Sequence, residues 1–156
     1  MVGIVLVSHS RMLAEGLMAL IQQMANPDLP IRIAAGAGED HLEIGTDAIE
    51  IMEAIQDVYS EEGVLVLMDL GSAILSAETA RDLLPPEMAE KVHFCPAPLV
   101  EGAMAAAVQA GVGADLKTVC EEARSALLPK LDQLGVPVTE AARIPAIAAV
   151  EQEIIL

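Results

Sequence analysis

Two titratable side chains follow directly on two strongly apolar segments of the chain. His9 comes after the run MVGIVLV with one serine between, and Asp69 comes immediately after VLVLM. Neutral imidazole offers a nucleophilic nitrogen near pH 7, and a carboxylate that accepts a hydrogen bond from the other ring N–H fixes its tautomer and orientation. The pair therefore predicts a histidine that carries a covalently bound group, with Asp69 as the residue that orients it.

Small polar residues at the starts of two predicted helices extend this hypothesis. Ser10 follows His9, and Gly71 and Ser72 stand just beyond Asp69. The N–H groups at a helix N-terminus, with serine hydroxyls beside them, bind phosphoryl oxygens well. We therefore expect His9 to be phosphorylated, with Ser10, Gly71 and Ser72 binding the phosphoryl group. The alternative interpretation is that His9 and Asp69 only cap or pack against the neighbouring helices.

Other reactive residue types lack this setting. His41 lies in a polar loop and His93 lies within a predicted strand, so both are interpreted as structural. Arg11 is near enough to contact a bound anion, but a single arginine after a helix cap is interpreted as solvated. Cys95 and Cys120 show neither zinc-site nor disulfide-framework spacing and are predicted to be reduced core thiols. No metal and no cofactor is expected.

Three rival kinds of site are disfavoured by the motifs. A serine hydrolase needs a G-x-S-x-G elbow, which is absent, and Ser8 and His9 point to opposite faces as strand neighbours. A receiver domain phosphorylated on Asp69 needs further carboxylates after the first strand, where Ser8 and His9 stand instead. Neither nucleotide-binding glycine motif, G-x-x-x-x-G-K-[ST] or G-x-G-x-x-G, occurs.

The elements that position these residues alternate along the chain. Continuous apolar runs predict strands over 1–7, 31–35, 64–68 and 92–95, and helical spacing predicts helices between them. Thr46 and Asp115 are predicted helix caps, and Pro129 is predicted to end or kink the last helix. Such a pattern is typical of an α/β fold with a mostly parallel four-stranded sheet and helices on both faces. Ligand sites of these folds lie at the carboxyl ends of the strands.

The charge and hydropathy of the chain limit its possible partners and its location in the cell. The formal net charge is −16 with only 8 Lys and Arg, which argues against nucleic acid and against an anionic membrane surface. The longest apolar runs, such as 102–114, fall well short of the roughly 20 residues that span a bilayer, and no basic segment precedes the first run. We predict a cytoplasmic protein with one domain over 1–134 and a linker or tail over 135–156.

Four separate segments carry a resemblance to a known family over roughly residues 1–125. They are VSHS, IGTDAIEIMEAI, VLVLMDLGSAILSAETA and PAPLVEGAMAA, in this order. They resemble the phosphotransferase subunit of the phosphoenolpyruvate-dependent dihydroxyacetone kinase. That family is similar in fold to the IIA domain of the mannose-type sugar phosphotransferase systems.

The resemblance implies a relay. It implies that His9 accepts a phosphoryl group from the phosphocarrier protein HPr and passes it to ADP on a separate kinase subunit, which phosphorylates dihydroxyacetone. Asp69 matches the carboxylate that supports the reactive histidine in the related sugar IIA domains. The resemblance also implies a homodimer, and some members continue into an HPr-like domain beyond a tail such as 135–156. The alternative function is a non-catalytic acidic module that regulates or binds a phosphotransferase system.

Overall fold

In the computed structural model, which describes residues 1–137, four strands form one parallel sheet. The strands are β1 (Gly3–Ser8), β2 (Ile31–Ala35), β3 (Val64–Met68) and β4 (Val92–Phe94). Their order across the sheet is β2-β1-β3-β4, and all three pairings are parallel. The predicted four-stranded parallel sheet is confirmed.

Helices connect the strands and continue after the last one. They are α1 (Arg11–Gln22), α2 (Ala48–Val58), α3 (Gly71–Asp82), α4 (Pro86–Ala89), α5 (Leu99–Gly111), α6 (Leu116–Arg124) and α7 (Leu128–Gln133). The single turn α4 was not predicted from the sequence. It begins at Pro86, directly after Pro85.

The alternating side chains of the strands divide the core between the two faces of the sheet. Ile4 and Leu6 of β1 join a cluster built with α1, α5 and α6, whereas Val5 and Val7 join a second cluster built with α2 and α3. All four side chains are buried. Burial of each aliphatic side chain contributes about 1.5–3 kcal/mol, so both faces of the sheet must be covered. The predicted helices on both faces are confirmed.

The sheet topology creates a crevice at the carboxyl ends of β1 and β3. These strands are adjacent, with Val7 paired to Met68. From β1 the chain proceeds to β2 on one side, and from β3 it proceeds to β4 on the other. The helices that follow β1 and β3 also pack on opposite faces. In an open parallel sheet this switch in strand order is where ligands bind, and His9 and Asp69 lie there.

Two predicted helix ends are wrong. The cap of α2 is Asp47, whose side chain accepts a hydrogen bond from the Ile49 N–H, and not Thr46. Thr46 instead shares a hydrogen bond with Ser76, with 2.6 Å between the two hydroxyl oxygens. Pro129 neither ends nor kinks the last helix but lies in the first turn of α7, where a missing N–H group is tolerated.

The helical spacing of Leu13, Leu17, Leu20, Ile21 and Met24 predicts a buried stripe on the first helix, and this prediction is only partly correct. Leu17 and Ile21 are buried, but Leu13 and Leu20 are about half exposed. Ala14 takes the third buried position of the helix.

The predicted tail falls almost wholly beyond the part of the chain that the structure describes. α7 ends at Gln133, and Gly135 follows with φ 72°. The interpretation of 138–156 as a linker lies outside the described residues. Within residues 1–137, no helix is long and apolar enough to cross a membrane.

Candidate active site

His9 and Asp69 meet at the carboxyl edge of the sheet. The Nδ1 atom of His9 lies 2.8 Å from Oδ1 of Asp69, and the backbone N–H of His9 donates to Oδ2 at 2.9 Å. The pair forms because β1 and β3 are neighbours and both residues stand directly beyond the pairing. The His9 side chain keeps 18% of its surface exposed, so a partner can reach the ring.

The Asp69 carboxylate accepts hydrogen bonds from four donors. Besides the two from His9, it accepts one from the Ser8 hydroxyl at 2.9 Å and one from the Leu70 N–H at 2.7 Å. Burial alone raises the pKa of Asp69, but the hydrogen bonds from His9, Ser8 and Leu70 together outweigh burial and lower it. Asp69 is therefore ionised at neutral pH and accepts a hydrogen bond from Nδ1–H, which places the reactive lone pair of the ring on Nε2.

Ser8 is the residue of this cluster that the sequence analysis missed as a participant. Its side chain is buried, and its hydroxyl accepts from the Ser10 N–H at 3.1 Å while it donates to Asp69. Strand alternation predicted that the Ser8 and His9 side chains point to opposite faces, but both reach the Asp69 carboxylate, at Oδ2 and Oδ1 respectively. The signal that identifies it is chemical: a serine at the buried end of an apolar strand needs a partner for its hydroxyl.

Ser72 stands on the other side of the imidazole. Its hydroxyl is hydrogen-bonded to Nε2 of His9, at the first turn of α3. α3 begins at Gly71 and has no side-chain cap, so its first N–H groups carry no capping side chain. Unsatisfied N–H groups and the helix dipole attract anions at such an end. The reactive nitrogen therefore faces an N-terminus that suits a phosphoryl group.

Ser10 occupies a different position from Ser72. It is the cap of α1, and its hydroxyl oxygen accepts from the Leu13 N–H at 3.2 Å. A hydroxyl that accepts one hydrogen bond still has its own proton to donate. The structure thus brings His9, Asp69 and Ser72 into direct contact, whereas Ser10 lies beside them at the end of α1.

Arg11 is not a solvated arginine as the sequence analysis expected. Its guanidinium is ion-paired with Glu50 of α2, and His41 Nδ1 lies 2.8 Å from the other oxygen of that carboxylate. The loop that carries His41 also contacts the site, because the Gly45 N–H donates to the His9 carbonyl at 2.9 Å. Glu50 thus connects the first turn of α1 to the loop beside His9.

Gly36 lets this loop turn away from β2. Its φ is +78°, and a Cβ atom at this position would stand 1.9 Å from the His41 carbonyl oxygen. Its N–H also donates to the Ser8 carbonyl at 3.1 Å. Only a residue without a side chain fits both the conformation and the space.

The two cysteines are buried thiols, as predicted. Cys95 and Cys120 are free, with 3.6 Å between their sulfur atoms. Burial, with a further contribution from Cys120, raises the pKa of Cys95 to about 12. This thiol is therefore protonated and unreactive at neutral pH. Among residues 1–137, no three His, Cys, Asp or Glu side chains gather into a metal-binding group.

Comparison with known proteins defines the class to which this fold and site belong. The sequence profile of the EIIA-man family, described as PTS system fructose IIA component, matches residues 3–120. The chain therefore belongs to the EIIA-man family of phosphotransferase-system IIA components. A crystal structure of EF1359, a protein of unknown function, superposes with a TM-score of 0.71 at 37% identity, covering 80% of this chain and 95% of that one.

Curated relatives narrow the resemblance further. The PEP-dependent dihydroxyacetone kinase phosphoryl donor subunit DhaM of Pantoea ananatis is 53% identical over 148 residues, which cover 94% of this chain and 31% of that protein. The corresponding subunit of kinase 2 from Listeria innocua is 43% identical, over 78% of this chain and 96% of its own length. The DhaM of Escherichia coli is 53% identical, and this chain spans 29% of it. The resemblance seen in the four sequence segments is confirmed.

Proposed function

We propose that the chain is a phosphohistidine relay: it accepts a phosphoryl group from HPr on Nε2 of His9 and passes it to ADP on a dihydroxyacetone kinase subunit. One observation carries the proposal. Nδ1 of His9 lies against an ionised carboxylate, while Nε2 faces Ser72 at the uncapped start of α3. This arrangement holds one nitrogen as the proton carrier and presents the other as the nucleophile.

The first transfer uses the lone pair of Nε2. It forms a bond to phosphorus while the bond between phosphorus and the donor breaks, and the donor atom keeps that electron pair. Loss of the lone pair leaves positive charge on the ring, which the Asp69 carboxylate stabilises at 2.8 Å from Nδ1. The ring is already oriented, so little reorganisation accompanies the attack.

The second transfer reverses these roles. A terminal phosphate oxygen of ADP bonds to the phosphorus, the bond from phosphorus to Nε2 breaks, and the electron pair returns to the ring. A phosphoramidate keeps a high transfer potential, which suits a group that is passed on. The chain shows neither nucleotide-binding glycine motif, so we assign ADP binding to the partner subunit.

The phosphoryl oxygens bind at the N-terminus of α3 in this proposal. The Ser72 hydroxyl, which contacts Nε2 in the free protein, donates to a phosphoryl oxygen once Nε2 is substituted. The N–H groups of Gly71 and Ser72 point outward from the uncapped helix end. The Ser10 hydroxyl adds a donor from the start of α1.

The surface around His9 suits a protein partner. Met12, Ile44 and Leu70 are 84%, 77% and 64% exposed. Met12 lies in the first turn of α1, Ile44 precedes the residue bonded to the His9 carbonyl, and Leu70 follows Asp69. In this proposal, a partner that transfers a group to Nε2 covers these apolar side chains. With a net charge of −16, the chain attracts a donor with a basic contact surface.

Two further features of the proposal concern the whole protein. We place the protein in the cytoplasm, in keeping with buried cysteines that remain free thiols.

We also propose a homodimer, since apolar side chains such as Val100, Leu128 and Leu134 are exposed along α5 to α7. Light scattering at micromolar concentration tests this: we expect twice the mass of one chain, and the mass of one chain contradicts it.

The test of the relay is phosphorylation in a reconstituted system. The protein is incubated with phosphoenolpyruvate, enzyme I and HPr, and its intact mass is measured. We expect the mass of one added phosphoryl group, labile in acid and stable in alkali, in the wild type but not in His9→Ala. His93→Ala is the matched control, because His93 is an exposed histidine of β4. An unmodified wild type favours the regulatory module instead.

Transfer onward is tested separately. Isolated phosphorylated protein is mixed with ADP alone and with ADP plus the kinase subunit and dihydroxyacetone. We expect the phosphoryl group to leave His9 only when the kinase subunit is present. Rapid loss to ADP alone contradicts the assignment of the nucleotide site to the partner.

A further inference from the structure

We propose that Ser8 is a positioning residue for His9: its hydroxyl fixes the Asp69 carboxylate in the orientation that holds the proton on Nδ1 and leaves Nε2 to react. The catalytic consequence of this inference rests on the proposed function of His9. Ser8 itself has no contact with the reacting nitrogen that the structure records, and it acts through Asp69.

The first support is the way the four hydrogen bonds divide between the two carboxylate oxygens. Oδ1 faces the imidazole Nδ1 and the Leu70 N–H, whereas Oδ2 accepts from the Ser8 hydroxyl and the His9 backbone N–H. Three of these donors belong to His9 or to the backbone. The Ser8 hydroxyl is thus the single side-chain donor, other than the ring itself, that the described residues direct at Asp69.

The second support is the position of Ser8 at the end of β1. Its hydroxyl donates to Asp69 and accepts from the Ser10 N–H at 3.1 Å. This bridge spans the residue before His9 and the residue after it, so it connects the turn that carries the imidazole to the carboxylate. The side chain is only 1% exposed, which keeps water from competing for either bond.

Removal of this hydroxyl affects the ring in a predictable way. Oδ2 keeps one donor instead of two, and the Ser10 N–H loses its acceptor. The carboxylate can then rotate, and Oδ1 no longer holds Nδ1–H in one geometry. For metal-ligating histidines, removal of an indirect partner typically costs about 10- to 100-fold in affinity or activity, and we expect an effect at the lower end of that range here.

A purely structural role for Ser8 makes a different prediction. A serine that only satisfies a buried hydrogen bond stabilises the fold without selecting a tautomer of the ring. Its removal then lowers the thermal stability but leaves the proton of neutral His9 on Nδ1. The protonated nitrogen is therefore the readout that separates the two roles.

The experiment compares Ser8→Ala with wild type, with Ser8→Thr and with Ser60→Ala. Ser8→Thr keeps the hydroxyl on a residue type that strands favour. Ser60→Ala removes the hydroxyl of a partly buried serine, which donates to the Met1 carbonyl away from the site. Long-range ¹H–¹⁵N NMR of the unphosphorylated proteins at mildly alkaline pH identifies the protonated ring nitrogen of His9. The initial rate of phosphorylation by phospho-HPr is measured on the same samples.

We expect the proton of His9 on Nδ1 in wild type, Ser8→Thr and Ser60→Ala, and a mixture of Nδ1–H and Nε2–H forms in Ser8→Ala with a rate about tenfold lower. If Ser8→Thr does not fold, the NMR comparison of Ser8→Ala with wild type and Ser60→Ala decides. An unchanged tautomer in folded Ser8→Ala overturns the inference. Because the NMR arm needs no phosphoryl transfer, an unphosphorylated wild type contradicts only the proposed function.

Discussion

The Asp69 carboxylate binds both the backbone and the ring of His9. Its Oδ2 accepts the backbone N–H at 2.9 Å, and its Oδ1 lies 2.8 Å from Nδ1. One side chain at the end of β3 therefore fixes both the place where β1 ends and the orientation of the imidazole that follows. This relationship ties the geometry of the site directly to the pairing of the two central strands.

Asp69→Ala and Asp69→Asn are expected to slow phosphoryl transfer to His9 by about 10- to 100-fold. Alanine removes the acceptor for Nδ1–H, and asparagine permits a donor to face the same nitrogen, which favours the wrong tautomer. The rate is measured by rapid quench with phospho-HPr. Asp57→Asn, at an exposed position of α2, serves as the control. Rates equal to wild type in both Asp69 variants would remove Asp69 from the site.

The lowered pKa of Asp69 predicts a loss of stability in acid. Its ordinary value is 3.8 and its pKa in the folded protein is lower, so its ionised form favours folding. The contribution is complete above pH 3.8 and disappears as pH falls through the folded pKa. Urea unfolding of wild type and Asp69→Asn should therefore give free energies that differ at neutral pH and converge in acid. A difference that grows as the pH falls contradicts the sign.

Gly36→Ala should destabilise the protein and slow phosphorylation. A left-handed conformation costs an alanine about 1 kcal/mol, and here the new methyl group also meets the His41 carbonyl. The displaced loop includes Gly45, which bonds the His9 carbonyl. Gly113→Ala is the matched control, because φ is +89° there and the space around it is open. Urea unfolding should show a larger loss for Gly36→Ala, and equal losses contradict the contact.

Ile44→Asp tests the proposed partner surface. A carboxylate among the exposed apolar side chains near His9 should lower kcat/KM for HPr about tenfold through KM, because the partner must then cover an unpaired charge. Val112→Asp places the same charge on an exposed residue at the far end of α5 and should transfer normally. If both variants behave alike, the effect comes from net charge and not from this surface.

The pattern of the chain predicted the central pair of the site but not its supports. His9 and Asp69 follow apolar strands, and parallel strands bring their carboxyl ends to one edge, so their meeting follows from sequence order and strand type. The hydrogen bond from Ser8 depends on the exact register of β1 against β3, which alternation alone does not specify. The Arg11 and Glu50 ion pair joins residues on two helices, and its formation depends on how the loop after β2 folds.

The cap of α2 shows a similar limit at the local level. Thr46 and Asp47 are both good caps by residue type. Ser76 of α3 decides between them, because its hydroxyl shares a hydrogen bond with the Thr46 hydroxyl where α2 and α3 pack together. Local propensity identified the start of the helix to within one residue, and tertiary contacts selected the residue.

The most direct test of the relay is to identify the atom that carries the phosphoryl group. Protein with ¹⁵N-labelled histidine is phosphorylated by phosphoenolpyruvate, enzyme I and HPr, and NMR detects coupling between phosphorus and nitrogen. The account predicts a single phosphoryl group on Nε2 of His9, because Asp69 occupies Nδ1, and its absence in His9→Ala. Phosphorus on Nδ1, an alkali-labile acyl phosphate on Asp69, or a phosphoryl group that persists in His9→Ala would contradict it.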